Sequence, residues 1–204
     1  MKNKMKKIIY MIIIGVVVLG FSYIYAHIDK NSYIYDRNAD TSLFYGTGIL
    51  KSDQSIEQTF ISEEETIEGI NLKVSRIGNV ETVVLHYSLT DMQTGETFAA
   101  SIPANQLDNN KFNQLATPQI VETKGKTYTL TLNVENSDEQ NGVSFYVVPG
   151  QVDGQQLTVM ENAADGVLVV RMICHRFDIE TFVVLLGIIL FVVVFIKKLY
   201  KSFR

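Results

Sequence analysis

Histidine is the residue type in this chain best suited to acid–base catalysis, and the sequence contains only three. His27 and His175 border the two most apolar segments, and His86 lies in a run that alternates apolar and polar residues. A Ser-His-Asp triad or a zinc site needs a histidine in a pocket with partners, which leaves His86 as the one candidate base. The alternation places His86 on the solvent side of a strand. We therefore predict a solvated histidine and no enzymatic activity.

Two glycine-containing stretches begin or end like nucleotide-binding motifs. Residues 46–48 (GTG) start like a dinucleotide fingerprint, but Lys51 stands where the third glycine is needed. Residues 125–127 (GKT) end like a phosphate-binding loop, but Ile120 occupies its first glycine position. Because neither motif is complete, we predict no nucleotide and no other cofactor.

Acidic and amide side chains could bind a divalent cation in one loop, since Ca²⁺ prefers oxygen ligands. The calcium candidates are Asn136, Asp138, Glu139 and Asn141. Residues 63–65 (EEE) with Glu68 form the densest acidic cluster. Acidic loops that keep an exported domain soluble account for both groups, so we predict no metal.

Two apolar segments position the rest of the chain. Residues 8–28 carry no charged side chain, and residues 179–196 carry only Glu180. At 1.5 Å per helical residue, both are long enough to cross a hydrocarbon core of about 30 Å. We predict transmembrane helices over residues 8–28 and 177–196 in the lipid bilayer. A cleaved signal peptide is the alternative for the first segment, but its length and the lack of a small-x-small exit favour an uncleaved anchor.

Basic residues flank both apolar segments on the sides of the chain ends. They are Lys2, Lys4, Lys6, Lys7, Lys197, Lys198, Lys201 and Arg204. The positive-inside rule therefore places two basic tails, residues 1–7 and 197–204, in the cytoplasm, and the central part outside the cell membrane. Between the spans, from Asp29 to Glu180, 10 basic residues face 22 acidic ones. With no basic stripe to release counterions, we predict that neither nucleic acid nor another polyanion is a ligand.

The central part predicts an all-β domain. Residues 29–42 are polar and lack a regular apolar period, which predicts a stalk. Residues 43–174 contain short runs of β-branched and aromatic residues between turn formers, which predict a jelly-roll-like two-sheet sandwich of nine or ten strands. The lone Cys174 cannot form an intrachain disulfide. The predicted strands cover residues 43–50, 56–61, 70–75, 83–90, 97–102, 127–134, 143–148, 155–160 and 166–173.

The stretch 56–134 resembles extracytoplasmic β-sandwich modules of bacterial membrane proteins. The segments that carry this resemblance are EQTF at 57–60, GINL at 69–72, LHYSL at 85–89 and IVETKGKTY at 120–128. Such modules often accompany multi-pass membrane proteins that assemble cell-surface polysaccharides, including glycosyltransferases. The resemblance implies an accessory role, with a multi-pass glycosyltransferase or a polysaccharide export protein as partner, and it implies no site residues.

Aromatic rings are the candidates for a glycan-binding surface, because sugars stack their apolar C–H faces on such rings. The chain has no Trp, which leaves Phe98, Phe112 and Tyr146, each of which could instead pack in the core or at its rim. We predict a non-enzymatic, membrane-anchored binding or accessory protein of the bacterial cell envelope that contacts a protein or a glycan. The alternative is an envelope sensor or regulator, which would need a separate membrane or cytoplasmic partner because the tails hold no output domain.

Overall fold

A computed structural model describes residues 2–203 of the chain. Met1 and Arg204, which end the two predicted basic tails, lie outside the described residues. The chain forms two compact units. The helical unit contains the chain up to Asp29 and from His175 onward, and the sandwich unit runs from Lys30 to Cys174.

The helical unit contains two helices that are apolar on all sides. They are α1, Lys2–Tyr25, and α2, Ile179–Ser202, of 24 residues each. Such a helix is about 36 Å long at 1.5 Å per residue. Almost none of their apolar side chains is buried within the protein, and a helix that is apolar all round requires apolar surroundings. As predicted, both helices are long and apolar enough to span a membrane, although α1 ends before residue 28.

The described residues form thirteen strands. In chain order they are β1 His27–Tyr33, β2 Tyr45–Gly46, β3 Ser55–Ile61, β4 Thr66–Ile77, β5 Val84–Asp91, β6 Thr97–Pro103, β7 Lys111–Val121, β8 Thr127–Glu135, β9 Gly142–Val148, β10 Gln156–Val159, β11 Asn162–Ala164, β12 Val167–Leu168 and β13 Val170–Phe177. Short 3₁₀ turns occur at Thr41–Leu43 and Ala104–Gln106.

These strands form two antiparallel sheets that pack as a sandwich, which confirms the predicted fold class. Sheet 1 has the order β1-β13-β4-β9-β12, with β7 paired to β4 and β2 paired to β9. Sheet 2 has the order β11-β10-β3-β8-β5-β6. Every strand pairing with a defined register is antiparallel, as expected for sheets with one buried and one solvated face.

In the strands whose sequence alternates, the apolar residues are buried and the polar residues are exposed or partly exposed, as predicted. In β4, Leu72 and Val74 are buried whereas Lys73 is partly exposed, and β5 and β8 repeat the pattern. Each buried position turns toward the other sheet, so the core lies between the two sheets. The largest buried side chains are Tyr128, Phe60, Phe145, Leu50, Ile56, Ile67, Ile70, Leu72, Leu85, Leu89, Leu107 and Leu115.

One polar side chain inside this core joins the two sheets. Gln58 of β3 has no exposed surface. Its Oε1 accepts a hydrogen bond of 2.9 Å from the backbone N–H of Leu168 in β12, and its Nε2 donates to the carbonyl oxygen of Thr59 at 2.9 Å. Because a buried amide without partners is unfavourable, these bonds make Gln58 a link between sheet 2 and sheet 1.

The structure has more strands than the nine or ten predicted, since β11 was not predicted and the predicted strand over residues 166–173 divides into β12 and β13. Three other differences have a physical reason. β7 was not predicted, because only Asn113 and Leu115 of its residues are buried and no apolar alternation results. The predicted stalk, residues 29–42, contains most of β1 and the buried Ile34 and Tyr35, a pair too short to show a period. The predicted strand over residues 43–50 shrinks to β2, because Gly48 adopts a positive φ of 78°.

Candidate binding face

The outer face of sheet 1 carries the most distinctive group of side chains in the sandwich unit. Lys73 on β4 lies directly opposite Phe112 on β7, and Arg171 on β13 lies opposite Asn71 on β4. Lys73, Asn71 and Phe112 alternate with buried neighbours in their strands, so they point away from the core. The antiparallel register therefore brings two cations and an aromatic ring to one surface.

Aromatic rings surround both cations. The guanidinium carbon of Arg171 lies 3.6 Å from the ring centroid of Phe112 and 4.5 Å from that of Tyr33. The Nζ of Lys73 lies 4.5 Å from the ring centroid of Tyr146 and 5.6 Å from that of Phe44. Each such cation–π contact contributes about 0.5–1 kcal/mol when exposed and about 2 kcal/mol when desolvated. We call the group Tyr33, Phe44, Lys73, Phe112, Tyr146 and Arg171 the cation–aromatic face.

Hydrogen bonds hold this face in place. The Nε of Arg171 donates to the hydroxyl oxygen of Tyr35 at 3.2 Å, and Tyr35 is itself buried. The hydroxyl of Tyr146 donates to Oδ1 of Asn110 at 2.7 Å. Because Arg171 is held both by stacking and by this hydrogen bond, its guanidinium has a defined orientation at the surface.

The structure brings together two of the three predicted glycan-binding residues. Phe112 and Tyr146 are partly exposed members of the cation–aromatic face. Phe98 lies elsewhere, on β6 opposite the buried Leu89, and its ring packs 6.3 Å from that of Tyr87. All three residues are partly buried and pack against the core, but Phe98 does so on sheet 2, away from the two cations.

Sequence reasoning missed the other members of the face. Tyr33 and Phe44 precede the predicted sandwich or open it, Lys73 and Arg171 lie much further along the chain, and no local motif connects the four. A usable signal was present at Lys73, which is a basic residue at an outward position of a central strand in an acidic domain. The sequence alone could not show which rings the fold would place around it.

His86 is where the alternation placed it, on the outer face of β5. Its Nε2 lies 3.1 Å from Oε2 of Glu135, and both side chains are about half exposed. A shallow depression beside it includes Ser88, Ser101 and Asn133. Among residues 2–203, no hydrogen bond joins His86 to a serine or a cysteine, so the arrangement provides no activated nucleophile.

The predicted calcium candidates lie in the loop between β8 and β9 and hydrogen-bond within the protein. Oδ1 of Asp138 accepts from the backbone N–H groups of Gln140 and Asn141, at 2.7 and 2.8 Å. The side-chain and backbone hydrogen bonds from Asn141 and Gln140 hold the pKa of Asp138 below its ordinary value. Glu139 pairs with Lys51 at 3.2 Å. The Nδ2 of Asn136 donates to the carbonyl oxygen of Thr82 at 3.1 Å, which gives this loop residue a structural role as well.

In the helical unit, aromatic and polar residues gather beside the C-terminal end of α1 and the N-terminal end of α2. The ring of His27 lies 4.5 Å from that of Tyr23 and 5.3 Å from that of Phe177. Asp178 precedes α2, and its carboxylate accepts hydrogen bonds from the backbone N–H and the hydroxyl of Thr181. Aromatic side chains at such positions are typical of a membrane–water interface.

Comparisons with known proteins do not identify a family. No family model and no curated protein matches the chain. A solved structure of an infectious bursal disease virus VP2 subviral particle is 13% identical with a TM-score of 0.31, and the match covers 72% of this chain and 40% of that one. The structure of T=1 particles derived from the same virus is 12% identical with a TM-score of 0.31, over 73% and 40% of the two chains. The match therefore spans about two fifths of the length of either viral chain.

Proposed function

We propose that the protein is a non-enzymatic, membrane-anchored binding protein of the bacterial cell envelope, whose sandwich unit binds envelope polysaccharide. In this proposal α1 and α2 both cross the cell membrane, and both basic tails lie in the cytoplasm. The observation that carries the proposal is the cation–aromatic face, which presents rings and cations together on a partly exposed sheet surface.

Amide side chains beside the face fit a ligand rich in hydroxyl groups. Gln114 is exposed and lies opposite Asn71, next to the Lys73 and Phe112 pair. Asn71 already donates to Oδ1 of Asn31 at 3.1 Å, which fixes its orientation. Amides can both donate to and accept from a sugar hydroxyl, and a few such groups beside apolar rings are typical of sugar-binding surfaces.

Loss of the two rings is expected to weaken polysaccharide binding. The test uses the full-length protein in detergent micelles and the envelope polysaccharide of the bacterium that encodes it, with retention measured by co-sedimentation. We expect the Phe112→Ala, Tyr146→Ala double variant to bind about tenfold or more weakly, because each cation loses one of its two ring partners. Phe98→Ala is the matched control, since it removes a ring on the other sheet and should bind like the wild type.

Circular dichroism and the melting temperature would establish that each variant is folded. If the wild-type protein retains no polysaccharide, the proposed function is wrong. If the double variant binds as well as Phe98→Ala, the binding surface lies elsewhere on the protein.

The accessory part of the proposal rests on the resemblance to modules that accompany polysaccharide-assembling membrane proteins. Gentle extraction of the tagged full-length protein, followed by mass spectrometry, would identify its partners. Recovery of a multi-pass glycosyltransferase or a polysaccharide exporter would support the accessory role. Recovery of the protein alone would leave polysaccharide binding as its function without such a partner.

A further inference from the structure

We propose that the polysaccharide bound at the cation–aromatic face is anionic and carries carboxylate or phosphate groups. This inference rests on the proposed function and specifies its ligand. The first observation is the lack of counter-charges. Among the described residues, no carboxylate oxygen lies within 4.0 Å of the charged nitrogens of Lys73 or Arg171.

Other lysines of the sandwich unit do have such partners. Lys51, Lys111, Lys124 and Lys126 each lie within 3.2–3.9 Å of a carboxylate oxygen. From Lys30 to Cys174 the chain has 9 basic and 19 acidic residues, a formal charge of −10. The acidity of this unit led us to predict from the sequence that polyanions do not bind. The fold creates a local exception, because it sets side by side two cations that no carboxylate neutralises, and together they form a site for an external anion.

The geometry of Arg171 suits such an anion. Its guanidinium stacks between the rings of Phe112 and Tyr33, and its Nε is used by Tyr35. Within residues 2–203, no acceptor takes a hydrogen bond from its two Nη groups. A guanidinium held by its Nε and by two rings, with both Nη groups unpaired, can bind the two oxygens of one carboxylate or phosphate group.

Lys73 adds a second positive charge close to Arg171 on the same face of sheet 1. Arg171 of β13 lies opposite Asn71 of β4, and Lys73 follows Asn71 by two residues in β4. Such diagonal neighbours have Cα atoms about 7–8 Å apart on one sheet face. Lys73 covers one face of the Tyr146 ring, and Arg171 covers one face of the Phe112 ring. A neutral sugar cannot stack on these covered faces, so the main role of the rings is to hold the cations in place. The same face therefore recognises charge first and sugar hydroxyls second.

The experiment compares charged and uncharged forms of the same polymer. Full-length protein in phosphatidylcholine nanodiscs, which carry no net lipid charge, is titrated with polygalacturonate and with fully methyl-esterified polygalacturonate, and binding is followed by calorimetry. Poly(glycerol phosphate) is titrated in parallel to distinguish phosphate from carboxylate as the source of charge. We expect at least one anionic polymer to bind about tenfold or more tightly than the ester.

Charge variants then assign the binding to this face. Lys73→Met and Arg171→Met should each weaken anion binding about tenfold, and Arg171→Lys should recover part of it because it keeps the charge but loses the planar fork. Lys124→Met, which removes one exposed lysine from a loop near sheet 2, should bind like the wild type. Raising NaCl from about 0.05 M to about 0.5 M should weaken the anionic complex.

Two results would overturn the inference. One is equal binding of the ester and both anionic polymers while envelope polysaccharide is still retained, which would leave the proposed function intact. The other is anion binding that Lys73→Met, Arg171→Met and Arg171→Lys all leave unchanged in folded protein. If envelope polysaccharide is not retained at all, the proposed function itself fails.

Discussion

Asp91 shows how one side chain shapes the sandwich unit at the end of β5. Its Oδ1 accepts hydrogen bonds from the backbone N–H groups of Gln93 and Thr94, at 2.8 and 3.2 Å. Its other oxygen lies 3.9 Å from Nζ of Lys126. The hydrogen bond from Gln93, helped by that from Thr94 and by the charge of Lys126, lowers the pKa of Asp91, against the opposing effect of its burial. The carboxylate therefore stabilises the turn toward β6 in its ionised form.

This lowered pKa predicts a pH-dependent loss of stability in Asp91→Asn. A group with a lowered folded pKa contributes stability above its ordinary pKa of about 3.9 and loses that contribution as the pH falls through the folded value. We expect Asp91→Asn to melt at a lower temperature than the wild type at pH 7, and the difference to shrink as the pH falls below about 4. Thermal unfolding of the full-length protein in detergent measures both.

Asp53→Asn is the matched control, because Asp53 is exposed and no hydrogen bond or ion pair of its side chain occurs among the described residues. It should melt like the wild type at both pH values. A constant difference between Asp91→Asn and the wild type from pH 7 to about pH 2.5 would show that the charge of Asp91 does not stabilise the fold.

At the scale of elements, two turns contain a glycine with positive φ, Gly78 and Gly95, and only Gly78 also lacks room for a Cβ. Gly78 follows β4 with φ of 65°, and a Cβ there would lie 2.2 Å from the carbonyl oxygen of Gln140 and 2.5 Å from Oδ1 of Asn141. Gly95 lies in the turn between β5 and β6 with φ of 76°, and a Cβ there would meet nothing within 4 Å. Only the left-handed backbone disfavours alanine at Gly95.

Alanine substitutions should therefore differ at the two glycines. We expect Gly95→Ala to lower the free energy of unfolding by about 1–2 kcal/mol, the usual cost of a left-handed residue with a Cβ. Gly78→Ala should lower it more, because Asn141 must move and its hydrogen bond to the backbone N–H of Asn79, of 2.8 Å, is disturbed. Urea unfolding of each variant checks the order, and equal losses would contradict the steric argument.

The sequence predicted the strands that alternate and missed those that do not. β4, β5 and β8 have apolar residues at every second position, because each has one face on the core. β7 has no such pattern, since it pairs only with β4 among the described strands and buries little. Gln58 could not be predicted either, because a buried amide is recognisable only once its partner Leu168 on the other sheet is known.

Only part of the cation–aromatic face could be predicted from the sequence, because its other members are brought together by the pairing of strands. Phe112 and Tyr146 could be proposed one by one as aromatic residues in a sugar-binding protein. Their neighbours Lys73 and Arg171 depend on the pairing of β4 with β7 and β13, which sets residues about 40 and 100 positions apart side by side. Pairing of distant strands is the information that a single sequence lacks.

At the scale of the whole molecule, the proposed orientation can be tested with single cysteines. In intact bacteria treated to open the outer layers, a membrane-impermeant maleimide should label Lys124→Cys, which replaces an exposed residue of the sandwich unit. It should label Ser202→Cys, at the end of α2, only after the membrane is permeabilised. These results follow if the basic tails lie in the cytoplasm.

The wild-type protein is the background control for this labelling, because its one cysteine is buried. The reverse pattern, with Ser202→Cys labelled from outside and Lys124→Cys protected, would contradict the orientation. Labelling of both variants from outside would show that α2 does not cross the membrane.

Because Cys174 is buried, the rate at which its thiol reacts can report local unfolding of the native protein. Only 1% of its surface is exposed, and it lies in β13, the last strand before α2. A small alkylating reagent can reach its thiol only when that strand separates from its neighbours, so under fast reclosing the modification rate reports how often this happens. A ligand that binds Arg171 on the same strand would slow the modification of Cys174. Binding of a polysaccharide would therefore be detectable as a lower alkylation rate of this one thiol.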